Sequence, residues 1–199
     1  MNGTNCGYLA VARTPDEPGE HLYMSARLAD VNELLRFPNP VNEVAARTVA
    51  AGVLALSAIT LVLSIALGSG WLWLTVPLAY GFVARVLTGP TLSPLGQFAT
   101  RVAAPRIGHA NPVPGPPKRF AQGMGAVMSL ATVIAHFGFG ADGLTQGLLG
   151  LIVAAATLES VFAFCVGCTI FAWLMRAGLI PAQTCEACAN VSLRLPTAA

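Results

Sequence analysis

Charge is scarce in this sequence: Asp, Glu, Lys and Arg together make up 10% of its 199 residues. A water-soluble domain of that length needs far more charge to cover its surface, which excludes that class. The short alternating apolar–polar segments of an outward-facing β-barrel strand are missing too, so membrane-crossing segments must be helices. The first 40 residues hold Asp16, Glu17, Glu20, Asp30 and Glu33 and no apolar core before Val44. No cleavable signal peptide is therefore expected, and the first apolar run would act as its own insertion signal. There is no phosphate loop, no Ser/His/Asp arrangement and no pair of catalytic carboxylates. A net charge of +2 gives no reason to expect a nucleic-acid partner.

Apolar residues are abundant, at 55% of the chain with a mean hydropathy of +0.66. Four runs reach the roughly 20 residues needed to cross a hydrocarbon core. They extend over about Val44–Leu67, Trp71–Leu87, Ala121–Phe139 and Leu144–Leu174. The expected fold is all-α, an integral membrane protein with four transmembrane helices and interfacial amphipathic segments. Its parts are a tail over 1–36, a membrane domain over 37–176 and a tail over 177–199.

All eleven basic residues fit on one side of such a bundle. Arg13, Arg27, Arg36 and Arg47 precede or open the first helix, and Arg85 closes the second. Arg101, Arg106, Lys118 and Arg119 follow in the middle loop, and Arg176 and Arg194 come after the fourth helix. The turns around Gly68-Ser69-Gly70 and Gly140-Ala141-Asp142-Gly143 have none. The positive-inside rule then puts both termini and the middle loop in the cytoplasm.

Residues 22–36, LYMSARLADVNELLR, carry Leu28, Val31 and Leu35 at helical spacing. They suit an amphipathic helix, on the membrane interface or against the protein itself. In the middle loop, SPLGQFATRVAAPR shows an apolar face of Leu95, Phe98 and Val102. HANPVPGPPKR follows, too rich in proline for regular structure. Its Lys118 and Arg119 are placed to meet lipid phosphates.

Two Cys-x-x-Cys pairs, Cys165/Cys168 and Cys185/Cys188, stand sixteen residues apart, with Cys6 left over. At about 1.5 Å per residue, Cys168 lies about 12 Å from the interfacial Arg176, within reach of the cytoplasmic face. Three readings stay open for the four cysteines. In a redox reading, one thiolate attacks and its neighbour a helical turn away resolves the mixed disulfide. In a metal reading, Cys-x2-Cys-x16-Cys-x2-Cys falls in the range of four-cysteine zinc sites, and zinc or iron would be held there. In the third, Cys165 and Cys168 are small packing residues.

RFPNPVNEVAAR (36–47), PVPGPPKRFAQG (112–123), FAFCVGC (162–168) and GLIPAQTCEAC (178–188) together resemble a bacterial membrane family known only as a domain of unknown function, number 4395. The resemblance spans about residues 36–190 and takes in Cys165, Cys168, Cys185 and Cys188. It implies location in the bacterial inner membrane. It also implies company with thioredoxin-like and sulfur-transfer proteins, which favours the redox reading. The expected function is thiol–disulfide or sulfur transfer with a cytosolic thioredoxin-like partner. The alternatives are the metal site, an accessory subunit of a larger membrane complex, or a small transporter with Glu159 and Arg85 along a polar path.

Glu159 is the one carboxylate well inside a predicted span, a functional candidate by default. On a continuous helix, at about 100° per residue, it faces away from Cys168, and Arg85 or Arg47 would be its partner. His136, near the far end of the third helix, reads as packed or solvated. Gly138-Phe-Gly140-Ala-Asp-Gly143 matches G-x-G-x-x-G as a string but joins two helices with no strand before it, so it is no dinucleotide site.

Overall fold

The computed structural model describes residues 37–108, 111–181 and 184. The amphipathic segment over 22–36 and both Cys185 and Cys188 lie outside the described residues. The architecture is all-α, with four helical spans long and apolar enough to cross a membrane. Helix α1 covers Glu43–Leu67, capped by the Asn42 side chain, which accepts from the Val44 N–H at 3.0 Å. At about 1.5 Å per residue its 25 residues exceed the roughly 30 Å hydrocarbon thickness. A 3-10 run, Ser69–Leu74, turns the chain back into α2, Thr75–Thr88. Two short helices, α3 (Pro94–Phe98) and α4 (Ala104–Ile107), flank a π turn at Ala99–Ala103. Then come α5 (Gly115–Val133, continued by a π turn to Gly138), α6 (Asp142–Phe162) and α7 (Val166–Arg176). Within the bundle α1 packs chiefly on α6 and α2 on α5.

The bundle is apolar on the outside, and its interior sets small or hydroxylated residues beside a few large apolar ones such as Leu72, Phe82 and Leu149. Ser57, Thr60, Ser129, Thr132 and Thr145 have no exposure, while Val62, Ile65 and Val127 are more than 60% exposed. Most buried hydroxyls donate to a carbonyl of their own helix, as Ser57 does to that of Val53 and Thr60 to that of Leu56, both at 2.7 Å. Lipid is as apolar as leucine, so large side chains gain nothing by turning inward. Small residues let the helices approach and gain dispersion contacts instead.

Three expectations are corrected. The proline-rich stretch is regular after all. Pro112–Val113 (β2) pairs antiparallel with Val41–Asn42 (β1), and Gly115-Pro116-Pro117-Lys118 forms the first turn of α5. Proline is tolerated there because first-turn N–H groups have no intrahelical partner. In the middle segment the buried positions are Ser93, Gly96, Ala99 and Ala104, whereas Phe98 is 55% exposed. Small residues thus dominate the inward face, while Leu95 of the expected apolar face packs on the core over Gly52 and Phe98 turns outward.

The third correction matters most for the site. The expected fourth helix over 144–174 is two helices, broken after Phe162. Ala163 takes a left-handed conformation (φ 55°, ψ 21°), and the Ala163 and Phe164 N–H groups both turn back to the Leu158 carbonyl, the latter at 3.0 Å. A β-carbon in that conformation costs about 1–2 kcal/mol. It is offset locally by Arg47 on α1, whose guanidinium donates to the Ser160 carbonyl at 3.0 Å and so caps the end of α6. Beyond the break α7 lies hard against α5. A β-carbon on Gly167 would sit 2.6 Å from the Ala121 Cα. Gly167→Ala is therefore expected to destabilise the protein by about 1–3 kcal/mol through overpacking against backbone. A thermal melt in detergent, with Gly123→Ala on an open face of α5 as the control, measures it.

Candidate functional site

The break places the first dithiol at the start of a helix. Cys165 is the N-cap of α7: its backbone is extended (φ −88°, ψ 103°) and its sulfur accepts the Cys168 backbone N–H at 3.3 Å. Its carbonyl accepts both the N–H and the hydroxyl of Thr169, at 3.0 and 3.1 Å. A sulfur at this position meets the unpaired N–H groups and the positive end of the helix dipole, both of which favour thiolate. The hydrogen bond from the Cys168 thiol holds Cys165 below the usual thiol range, while burial works against it. Donating that bond pushes Cys168 up. Both thiols are half-buried and free. The pair is unequal: one sulfur suited to attack, the other kept protonated.

Glu159 sits on the last turn of α6, before the break. Its partner is neither Arg85 nor Arg47, as the sequence suggested, but Lys118 on the first turn of α5, whose Nζ donates to Glu159 Oε1 at 2.8 Å. The two side chains are only 13% and 18% exposed, so Lys118 points into the bundle and not to lipid phosphates. The break at Ala163 also removes the expected separation by helix angle, and Glu159 and Cys165 border the same cavity. Arg85, 5% exposed, has a different task. Its Nε donates to Gln122 Oε1 at 2.9 Å and its Nη1 to Ser93 Oγ at 3.2 Å, and its guanidinium stacks over the Phe82 ring at 4.7 Å. Its Nη2 lacks a hydrogen-bond partner among the described residues.

The cavity, of about 260 Å³, lies between α1, α2, α5, α6 and the start of α7. Val53, Phe82, Met124, Met128 and Ile152 form apolar walls, and Gln122, Glu159 and Cys165 supply the polar edge. A second, more open cleft of about 500 Å³ lies at the same end of the bundle. Phe37, Arg119, Phe120 and Phe171 line it together with Thr184, the residue before Cys185. At the opposite end His136 Nδ1 meets Asp142 Oδ1 at 2.7 Å, bracing the α5–α6 turn, so His136 is packed as expected. No group of three or more His, Cys, Asp or Glu side chains fit to hold a metal occurs among the described residues. The four-cysteine site requires Cys185 and Cys188, outside that range.

Sequence reasoning missed Lys118 and Gln122 as site residues. They stand four apart on α5 and share a face, legible once Pro116-Pro117 is read as a helix start.

Fold and site together define a four-span helical membrane protein with a helix-capping dithiol at the basic end of its bundle. Over residues 41–176 the chain matches the family described as Domain of unknown function (DUF4395), and it belongs to that family. The match includes Cys165 and Cys168 and ends before Cys185. No curated protein and no solved structure matches the chain.

Proposed function

We propose that this protein is a membrane dithiol carrier of the bacterial inner membrane, taking part in thiol–disulfide or sulfur transfer with a cytosolic thioredoxin-like partner. The observation that carries the reading is the Cys165 sulfur at the N-cap of α7, hydrogen-bonded by the Cys168 N–H. A packing cysteine has no need of that position, and a nucleophilic one gains from it. Arg47, Arg85, Lys118, Arg119 and Arg176 lie at the same end of the bundle as the dithiol. With the positive-inside rule, this supports a cytoplasmic site and cytoplasmic termini. Thr184 beside Phe171 in the open cleft supports a second pair working close to the first. Cys185 and Cys188 would exchange with the partner, and Cys165 and Cys168 would be the inner pair.

The test is a trapped adduct. The full-length protein in inverted membrane vesicles is first oxidised with diamide to close its dithiols, and the excess oxidant is removed. A thioredoxin variant lacking its resolving cysteine is then added, so that its one thiolate displaces a sulfur of the disulfide. A mixed disulfide is expected with the wild type and is reduced to background in Cys185→Ser. Absence of any adduct, from oxidised protein whose thiols react with a soluble maleimide once reduced, overturns the proposal.

A further inference from the structure

The cavity beside Cys165 has no part in exchange with a soluble partner, and its shape and lining suit a different molecule. Its walls are apolar over most of their area, it lies among membrane-spanning helices, and its one polar edge carries a thiol. At about 260 Å³ it falls just under the roughly 300–1,000 Å³ of a site for a whole drug-sized ligand, and it suits one ring with its tail left in the lipid. Gln122 adds a specific group. Its Oε1 is held by Arg85 Nε at 2.9 Å, which leaves the amide nitrogen to donate into the cavity that Gln122 lines. The polar edge therefore offers an oriented N–H donor, a carboxylate neutralised by Lys118, and a sulfur.

We infer that the cavity binds the ring of a lipid-soluble quinone, with a ring carbonyl accepting from Gln122 Nε2, and that the Cys165/Cys168 dithiol reduces it. This rests on the proposal that the dithiol is redox-active and names its membrane-side substrate. The balance is simple. The two thiols give up two electrons and two protons and close the Cys165–Cys168 disulfide. The quinone takes both and leaves as hydroquinone. The partner's dithiol then returns the disulfide to its reduced state by exchange. Cys165 Sγ accepts the Cys168 backbone N–H at 3.3 Å, so the two cysteines share the first turn of α7, the spacing at which a Cys-x-x-Cys pair closes its disulfide.

The experiment uses the reduced full-length protein in detergent, free of oxygen, with the short-tailed ubiquinone-1 as probe. One to two hydroquinones per chain are expected, two where the second dithiol also passes its electrons on, together with a Cys165–Cys168 disulfide in the peptide mass map. Ala155→Phe fills the cavity from a wall position that is otherwise exposed. It should slow quinone reduction about tenfold or more while maleimide labelling of Cys165 is unchanged. Met128→Trp, from the facing helix, is the second filling variant should the first fail to fold. No hydroquinone from wild type with a maleimide-reactive Cys165, or wild-type rates in both filled variants, would overturn the quinone site. A thioredoxin adduct without hydroquinone sinks this inference and leaves the carrier proposal intact. Hydroquinone without an adduct supports the quinone site and removes the thioredoxin-like partner.

Discussion

Replacing Lys118 with methionine is expected to lower stability by about 3 kcal/mol, the low end for breaking a buried ion pair. The sequence of effects starts with the Glu159 carboxylate, 18% exposed on the last turn of α6 and, among the described residues, paired with Lys118 at 2.8 Å. Without the ammonium, that short side chain cannot reach the interface, and a charge in a low-dielectric site must either stay unpaired or take up a proton. The reverse substitution, Glu159→Gln, should cost less. A lysine stem is long enough to carry its head towards the headgroups, and an amide can still accept from it. The double variant Lys118→Met/Glu159→Leu should recover most of the loss, since two apolar groups of similar size leave nothing unpaired. Thermal unfolding of wild type, Lys118→Met, Glu159→Leu and the double variant in one detergent gives the coupling as a double-mutant cycle. Equal melting of wild type and Lys118→Met would mean the ion pair contributes nothing.

The second large effect is in the chemistry of the dithiol. Maleimide should label Cys165 at least about tenfold faster than Cys168 at neutral pH, because the thiolate is the reactive form. The sign is set by the shared hydrogen bond. Cys165 accepts from Cys168, which holds its thiol below the ordinary range and raises the other. Thiolate at Cys165 therefore persists as pH falls below the usual thiol titration, and labelling declines only through the lowered value. In Cys168→Ser a hydroxyl can still donate, so the low-pH reactivity should survive. In Cys168→Ala the side-chain donor is gone, and the labelling profile of Cys165 should shift upward in pH. A rate-against-pH series by mass spectrometry reads both. A profile unmoved by Cys168→Ala would assign the low value to the helix terminus alone.

The two results bear on each other. Lys118 also adds a favourable positive charge near both thiols. Lys118→Met should therefore move Cys165 labelling to higher pH even in detergent conditions where the protein stays folded.

Much of the architecture was legible because hydropathy sums along the chain. Four apolar stretches predicted four spans, and four were found, with α1 within a residue of the expected Val44–Leu67. The basic residues named the end at which a dithiol stands, and Cys165 and Cys168 were candidates from their spacing alone. The break that makes them a helix cap was not legible. It falls at Ala163, with neither glycine nor proline to mark it, inside an apolar run that reads as one span. The α5 start was misread for the opposite reason: its prolines signal irregular chain, yet at the first turn they are admissible.

By itself, then, the sequence determined that the chain is a four-span helical protein, with a Cys-x-x-Cys near its basic end. Those properties depend on length, composition and charge order, which need no partners in space. Only the tertiary structure decided that Lys118 neutralises Glu159, that Arg85 orients Gln122 and that Cys165 caps α7 beside a cavity. The first two join residues from different helices, and the third follows from the break between α6 and α7. Which polar groups meet is settled by the packing of small side chains in the bundle interior, because an unpaired charge in hydrocarbon is too costly to leave to solvent.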